Sequence, residues 1–197
     1  MNPVRIFLAG ATGVLGTRLL PLLTAAGHRV AGMTRSVSRT AAIVAAGGQP
    51  VVCDVYHLSA LTAAVVNFRP DLVMHQLTDL PDDPAQLAER AEANARMRTE
   101  GTANLIAAAT AARAPRFLAQ SIAWVPQGHA EALAAHERAV LDFGGVVVRY
   151  GQFYGPGTFY ETEPPGHPRI HVDDAAARTI PLLEAPSGVV VLAEPQD

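Results

Sequence analysis

Short apolar runs alternate with amphipathic stretches along nearly the whole chain. The runs at 4–9, 28–34, 50–54, 71–77, 115–121, 145–151 and 188–194 are too short for helices and predict buried strands. Between them, residues 16–27, 37–47, 58–68, 84–112, 129–143 and 170–184 carry apolar positions at helical spacing. Gly27 and the Gly47-Gly48 pair act as stops, and Asp173 or Asp174 as the N-cap of the last helix. Continuously apolar strands alternating with helices predict a doubly wound α/β fold, a parallel sheet covered on both faces. Residues 151–168, dense in glycine, proline and aromatics, break the pattern and predict a loop.

Composition narrows the chemistry mainly by exclusion. A length of 197 residues fits one domain. A net charge of -3 gives no reason to expect nucleic acid or an anionic membrane surface as partner. All 15 basic residues are arginine, so no mechanism here uses a lysine. Cys53 is the one cysteine, which leaves no internal disulfide or cysteine-based metal cluster. No HExxH pair is present, and no metal site is expected. The chain opens on a strand without a basic-then-apolar leader, and a cytoplasmic location is the expectation.

The most informative stretch is FLAGATGVLGTRLL, which places Gly10, Gly13 and Gly16 between the first strand and the first helix. A phosphate-binding turn needs one glycine for the sharp turn, one for close approach to a pyrophosphate, and one for tight helix–strand packing. The unpaired amides of the helix start then face the phosphates. Thr12, Val14 and Leu15 complete this candidate turn.

With that spacing in place, the chain resembles the short-chain dehydrogenase/reductase superfamily, in its extended and atypical branches, and above all the NAD-dependent epimerase/dehydratase group. The resemblance continues in order through CDVYHLSAL, LVMHQLTDL, NARMRTEGTANLIAAA, VVVRYGQFYGPGT and IHVDDAA. It implies a Rossmann domain over residues 1–197, with Asp54 and Val55 beside the adenine. Gln76, Leu77 and Thr78 on the fourth strand, Asn94 on the following helix and Tyr150 would line the dinucleotide. Helices 84–112 and 129–143 resemble elements through which relatives dimerise, so a homodimer is the one protein partner expected.

The end of the second strand argues for NADP rather than NAD. An NAD-preferring site usually puts an acid there for the ribose 2′-OH. Here Thr34 holds that place, followed by Arg35, Ser36, Ser38 and Arg39. Arginines at 35 and 39 could hold a 2′-phosphate through paired donors.

The resemblance also implies a catalytic serine on the fifth strand, matched by Ser121, and a tyrosine followed four residues on by a lysine. The last two are missing. If Glu137 marks the register, His129 stands in the tyrosine slot and Leu133 in the lysine slot. An unassisted phenol titrates near pH ~10 and is a poor base at neutrality, whereas imidazole titrates near neutrality. His129 or Tyr150 is then the candidate proton carrier, although His129 and His136 also fit the exposed face of an amphipathic helix. Residues 151–169 replace most of the family's substrate region. Two readings stay open: an NADP(H)-dependent enzyme acting on a small carbonyl or alcohol, and a non-catalytic NADP-binding sensor, regulator or scaffold.

Overall fold

The computed structural model describes residues 2–80, 86, 88–124 and 130–196. The strands are β1 (Arg5–Ala9), β2 (Arg29–Thr34), β3 (Gln49–Val52), β4 (Leu72–His75), β5 (Arg116–Ile122), β6 (Val146–Tyr150), β7 (Gln152–Tyr154), β8 (Arg169–His171) and β9 (Gly188–Leu192). All but β7 and β8 join in one seven-stranded parallel sheet, in the order β3-β2-β1-β4-β5-β6-β9. The helices are α1 (Gly16–Ala25), α2 (Thr40–Ala45), α3 (Leu58–Phe68), α4 (Ala91–Arg96), α5 (Thr102–Ala111), α6 (Ala130–Asp142) and α7 (Val172–Thr179). The doubly wound expectation holds. Its strand order reverses between β1 and β4, and open sheets of this kind bind ligands at the carboxyl ends of the strands beside such a switch.

Side-chain alternation splits the core in two. Ile6, Leu8, Met74, Leu118 and Val148 pack with Leu19, Leu23, Ala176 and Leu183 on the α1/α7 face. Phe7, Val73, Phe117 and Val147 pack with Leu61, Val65, Leu105, Ala108 and Val140 on the α3/α5/α6 face. Both sets are removed from water, as a parallel sheet covered on both faces requires.

Local chemistry shifts several predicted boundaries. The single helix expected over 84–112 is α4 and α5 joined by a π-helical turn, Met97–Gly101, with 81–85 and 87 outside the described residues. A Cβ at Gly101 would lie 2.8 Å from the Met97 sulfur, so a side chain there would displace the Met97 thioether that packs against this wide turn. Part of the loop expected over 151–168 is a strand. β7 pairs in parallel with β8, brought together where Gly151 meets the Arg169 backbone. The N-cap of α7 is His171, whose side chain accepts from the Asp173 amide, rather than Asp173 or Asp174. Asp173 instead accepts from Arg18 Nε at 2.6 Å, tying α1 to α7.

A buried polar chain crosses the α5/α6 face. The Leu77 amide donates to His75 Nδ1 at 3.2 Å, which leaves the His75 proton on Nε2 for Thr102 Oγ1 at 3.0 Å. Thr102 then donates to His136 Nδ1 at 2.7 Å, and His136 Nε2 donates to the Gln120 carbonyl at 3.0 Å. Every donor finds one acceptor with both rings neutral. His136 is thus a core residue, 2% exposed, rather than a surface one. Burial lowers the pKa of His75, as does His136 beside it. Burial and the nearby Arg98 charge lower that of His136 to about 4.

These depressed values make a pH prediction. Both rings take up a proton more readily in the unfolded chain, near pH ~6.5, so their contribution is full above that pH. It is lost as pH falls through the folded values, at up to about 1.4 kcal/mol per unit and group. Chemical denaturation between pH 8 and 4 should show stability falling below pH ~6.5, and His136→Gln should flatten that slope by roughly half. Equal slopes in the two proteins would remove His136 from the linkage.

Candidate functional site

The turn after β1 is built by missing side chains. Gly10 has φ +94°, and a Cβ there would sit 2.6 Å from the Gln76 carbonyl oxygen. A Cβ at Gly16 would sit 2.0 Å from the Gly10 oxygen, so these two glycines let the turn close against β4 and α1 start under it. Gly13 differs. It is exposed, and a Cβ there would meet only the Gly10 oxygen, at 3.4 Å. The open space above Gly13 is a cradle that a side chain would fill. Beside it, the Val14 and Leu15 amides donate to no group among the described residues, at the positive end of a ten-residue helix. This geometry fits a pyrophosphate.

The neighbouring strand ends supply the rest of a crest. Thr34, buried at the end of β2, has its hydroxyl 3.2 Å from that of Thr12 and accepts from the Ser36 amide. Arg35 and Arg39 are exposed, and Arg39 Nη1 reaches the Thr12 carbonyl at 3.2 Å. Neither forms a salt bridge among the described residues. After β3, Asp54 Oδ1 accepts from the Tyr56 amide at 3.0 Å, and Asn104 Nδ2 holds the Val55 carbonyl at 3.0 Å. After β4, Leu77 and Thr78 lead to Asp79, whose amide donates to Asn94 Oδ1 at 3.2 Å. The structure thus brings the sequence-predicted residues 10, 12–16, 34, 35, 39, 54, 55, 76–78 and 94 to one edge of the sheet. Sequence reasoning missed Tyr56, whose ring lies under the Arg96 guanidinium at 4.0 Å.

The catalytic candidates fare differently. Ser121 is 2% exposed, and its hydroxyl donates to Glu137 Oε1 at 2.5 Å. Glu137 also accepts from Arg149 Nε at 2.9 Å and Nη2 at 2.5 Å. Burial alone would raise the Glu137 pKa. The hydrogen bonds from Arg149 and Ser121, with the Arg149 charge, bring it below the usual carboxylate range. Tyr150 has to be corrected. It is 1% exposed in the α1/α7 core, its hydroxyl is 2.7 Å from Thr179 Oγ1, and burial raises its pKa. It can neither carry a proton to solvent nor touch a dinucleotide. His129 lies outside the described residues.

Next to the Ser121–Glu137–Arg149 group is a pocket of about 280 Å³ lined by Ile122, Ala123, Trp124, Ala130, Leu133 and Val191, with Glu137 and Arg149 as its charged wall. Leu133, which stands in the lysine slot if Glu137 marks the register, lines this space as an apolar side chain. Arg98, on the π-helical turn, adds a second guanidinium near Glu137. Burial pulls its pKa down, and the carboxylate offsets part of that.

The model of the NAD dependent epimerase/dehydratase family matches residues 6–131. The chain belongs to this family. A curated relative, the 3-diazoavenalumate denitrifying reductase of a Streptomyces species, is 38% identical over 214 residues, covering 94% of this chain. The chain spans 66% of that relative's length. Among solved structures, the UDP-glucose 4-epimerase of Thermus thermophilus with NAD superposes with a TM-score of 0.80 at 19% identity, over 98% of this chain and 78% of that one. The UDP-glucose-4-epimerase of Stenotrophomonas maltophila, with bound NAD and formylated UDP-arabinopyranose, gives 0.80 at 14%, over 98% and 79%. At these identities the likeness is one of fold.

Two substitutions test the site. Gly13→Ala should leave the thermal midpoint nearly unchanged, because the Cβ makes a single contact, 3.4 Å from the Gly10 oxygen, while weakening dinucleotide binding at least ~tenfold in a fluorescence titration. Glu137→Ala strands the buried Ser121 hydroxyl and frees Arg149. It should destabilise the fold by roughly 2–3 kcal/mol in urea denaturation. A change under about 0.5 kcal/mol would show the triad to be idle.

Proposed function

We propose that the protein is an NADP(H)-dependent reductase whose substrate is a planar, electron-poor, carboxylate-bearing aromatic, and whose reaction draws no proton from a tyrosine–lysine pair. The observation that carries this reading is Leu133, an apolar side chain lining the pocket where the lysine is expected, beside a Ser121 hydroxyl already committed to Glu137. The turn around Gly13 would hold the pyrophosphate. Arg35 and Arg39 would hold a 2′-phosphate, supported by the lack of any acid at the end of β2. When bound, the reduced dinucleotide supplies a hydride.

The substrate class follows from what the described residues of this crest offer, with no tyrosine–lysine pair among them. Reducing a carbonyl, or epimerising a hydroxylated carbon, moves a hydroxyl proton and calls for a positioned acid or base. Losing dinitrogen from an aryl diazonium does not. One hydride added to the cationic Ar–N2+ group gives Ar–H and neutral dinitrogen, with the ring's carboxylate unchanged throughout, so atoms and charge close without a protein acid. The 38%-identical relative is named for a diazo substrate and for removal of its nitrogen, which supports this chemistry here. Trp124, Ile122 and Leu133 would pack a planar ring. Arg149 commits Nε and Nη2 to Glu137, while Nη1 has no partner among the described residues and can receive a carboxylate.

The test has two stages. Titration should show NADPH bound at least ~tenfold more tightly than NADH, and Arg35→Ala with Arg39→Ala should erase the difference, as the loss of charge-assisted bonds worth ~1.5–3 kcal/mol requires. An arenediazonium carrying a carboxylate should then oxidise NADPH with one dinitrogen released per turnover. Failure to bind either dinucleotide overturns the proposal. Tight binding with no turnover of the diazonium returns the protein to the non-catalytic reading.

A further inference from the structure

On the α1/α7 face of the crest, the side chain of Gln76, one of the residues expected to line the dinucleotide, has no polar contact among the described residues that accounts for it. Gln76 is 5% exposed, yet neither Nε2 nor Oε1 of its carboxamide has a hydrogen-bond partner among the described residues. Its backbone amide donates to the Ala9 carbonyl at 2.9 Å, and its backbone carbonyl is the group that packs against Gly10. A buried donor and a buried acceptor left unpaired are both destabilising, and native folds retain such groups mainly where something else completes them.

Its position says what that something is. By alternation Gln76 shares a face with Leu72 and Met74, on the α1/α7 side, opposite Val73 and His75. The β4–β5 register pairs Met74 with Leu118 and His75 with Ala119, so Gln76 stands one step further up, beside Gln120. On its other flank is Gly10. The amide therefore lies at the sheet's switch point, between the glycine turn and β5. A dinucleotide whose pyrophosphate sat on the turn and whose adenosine reached toward β2 and β3 would extend its second ribose toward β4 and β5, where Gln76 stands. Ribose hydroxyls both donate and accept, which is what an unpaired carboxamide asks for, and the chain has no lysine to hold them.

We propose that the Gln76 side chain binds the nicotinamide riboside half of the cofactor through its ribose hydroxyls. This rests on the dinucleotide reading above and adds a residue-level partner to it.

The experiment uses Gln76→Leu, similar in size and apolar, with NADPH and 2′,5′-ADP as probes. The latter carries the adenosine half alone. Without ligand, the variant should melt about 2–4 °C higher than wild type, because the unpaired amide is gone. NADPH binding should weaken about tenfold, and 2′,5′-ADP binding should not change. Equal weakening of both probes would overturn the proposal, by placing the effect in the glycine turn. Unchanged NADPH binding would overturn it by showing that the amide meets no ligand. If wild type binds 2′,5′-ADP but NADPH no more tightly, the proposal fails and the dinucleotide reading survives in part. If wild type binds neither, both fall together. Should Gln76→Leu fail to fold, Gln76→Met gives the same readout with a more adaptable side chain.

Discussion

Everything at the crest depends on how closely two backbone segments approach where the sheet reverses. The β1 turn and the end of β4 meet at Gly10 and Gln76, at a distance that leaves no room for a Cβ on residue 10. Residue 16 is under the same restriction from the Gly10 oxygen, so the turn can fold back and launch α1 directly from the sheet edge. Once those contacts are made, the helix dipole, the unpaired Val14 and Leu15 amides and the open space over Gly13 follow from geometry. Arg18 then locks the arrangement from outside, binding Asp173 at the start of α7 and the carbonyls of Val14 and Pro156.

The opposite face is held by polar groups that use up their own hydrogen-bonding capacity. His75, Thr102 and His136 pass a single chain of donors and acceptors from β4 to β5. Ser121, Glu137 and Arg149 form a second group between β5, α6 and β6. Both fix α6 against the sheet. Fully satisfied networks specify position well and titrate poorly. The histidines are held neutral, and the carboxylate is held ionised. Groups of types that could have served as acid and base are therefore structural ones.

How far this was legible in the sequence depends on how local each requirement is. The strands, the doubly wound class and the glycine turn could be read because each rests on a short-range rule: alternation, capping, or a backbone that excludes a side chain. The two polar groups could not, since their members are far apart in sequence and meet only when the sheet assembles. Some signals were present and unused. Val148 and Tyr150 share a parity on β6, and an apolar Val148 places Tyr150 in the core beside it. His136 and Val140 lie four apart on one helical stripe, which marks His136 as inward-facing. The broken helix over 84–112 carried its signal in Gly101. The pairing of residues 152–154 with 169–171 had none, because those strands are too short for any period to register.

The two ends of the crest differ in what they can do to a substrate. The adenosine end offers hydroxyls and guanidinium groups, good for binding phosphate. The pocket end offers apolar walls and, among the described residues, no free acid. A hydride delivered to a carbonyl there would leave an alkoxide, and an alkoxide without a proton readily gives the hydride back. An acceptor that expels a stable gas cannot return it. A site without a tyrosine–lysine relay therefore need not be silent. Under the reductase proposal such a site favours substrates whose own bond breaking renders the transfer one-way, and an apolar Leu133 on the pocket wall fits chemistry that needs no acid.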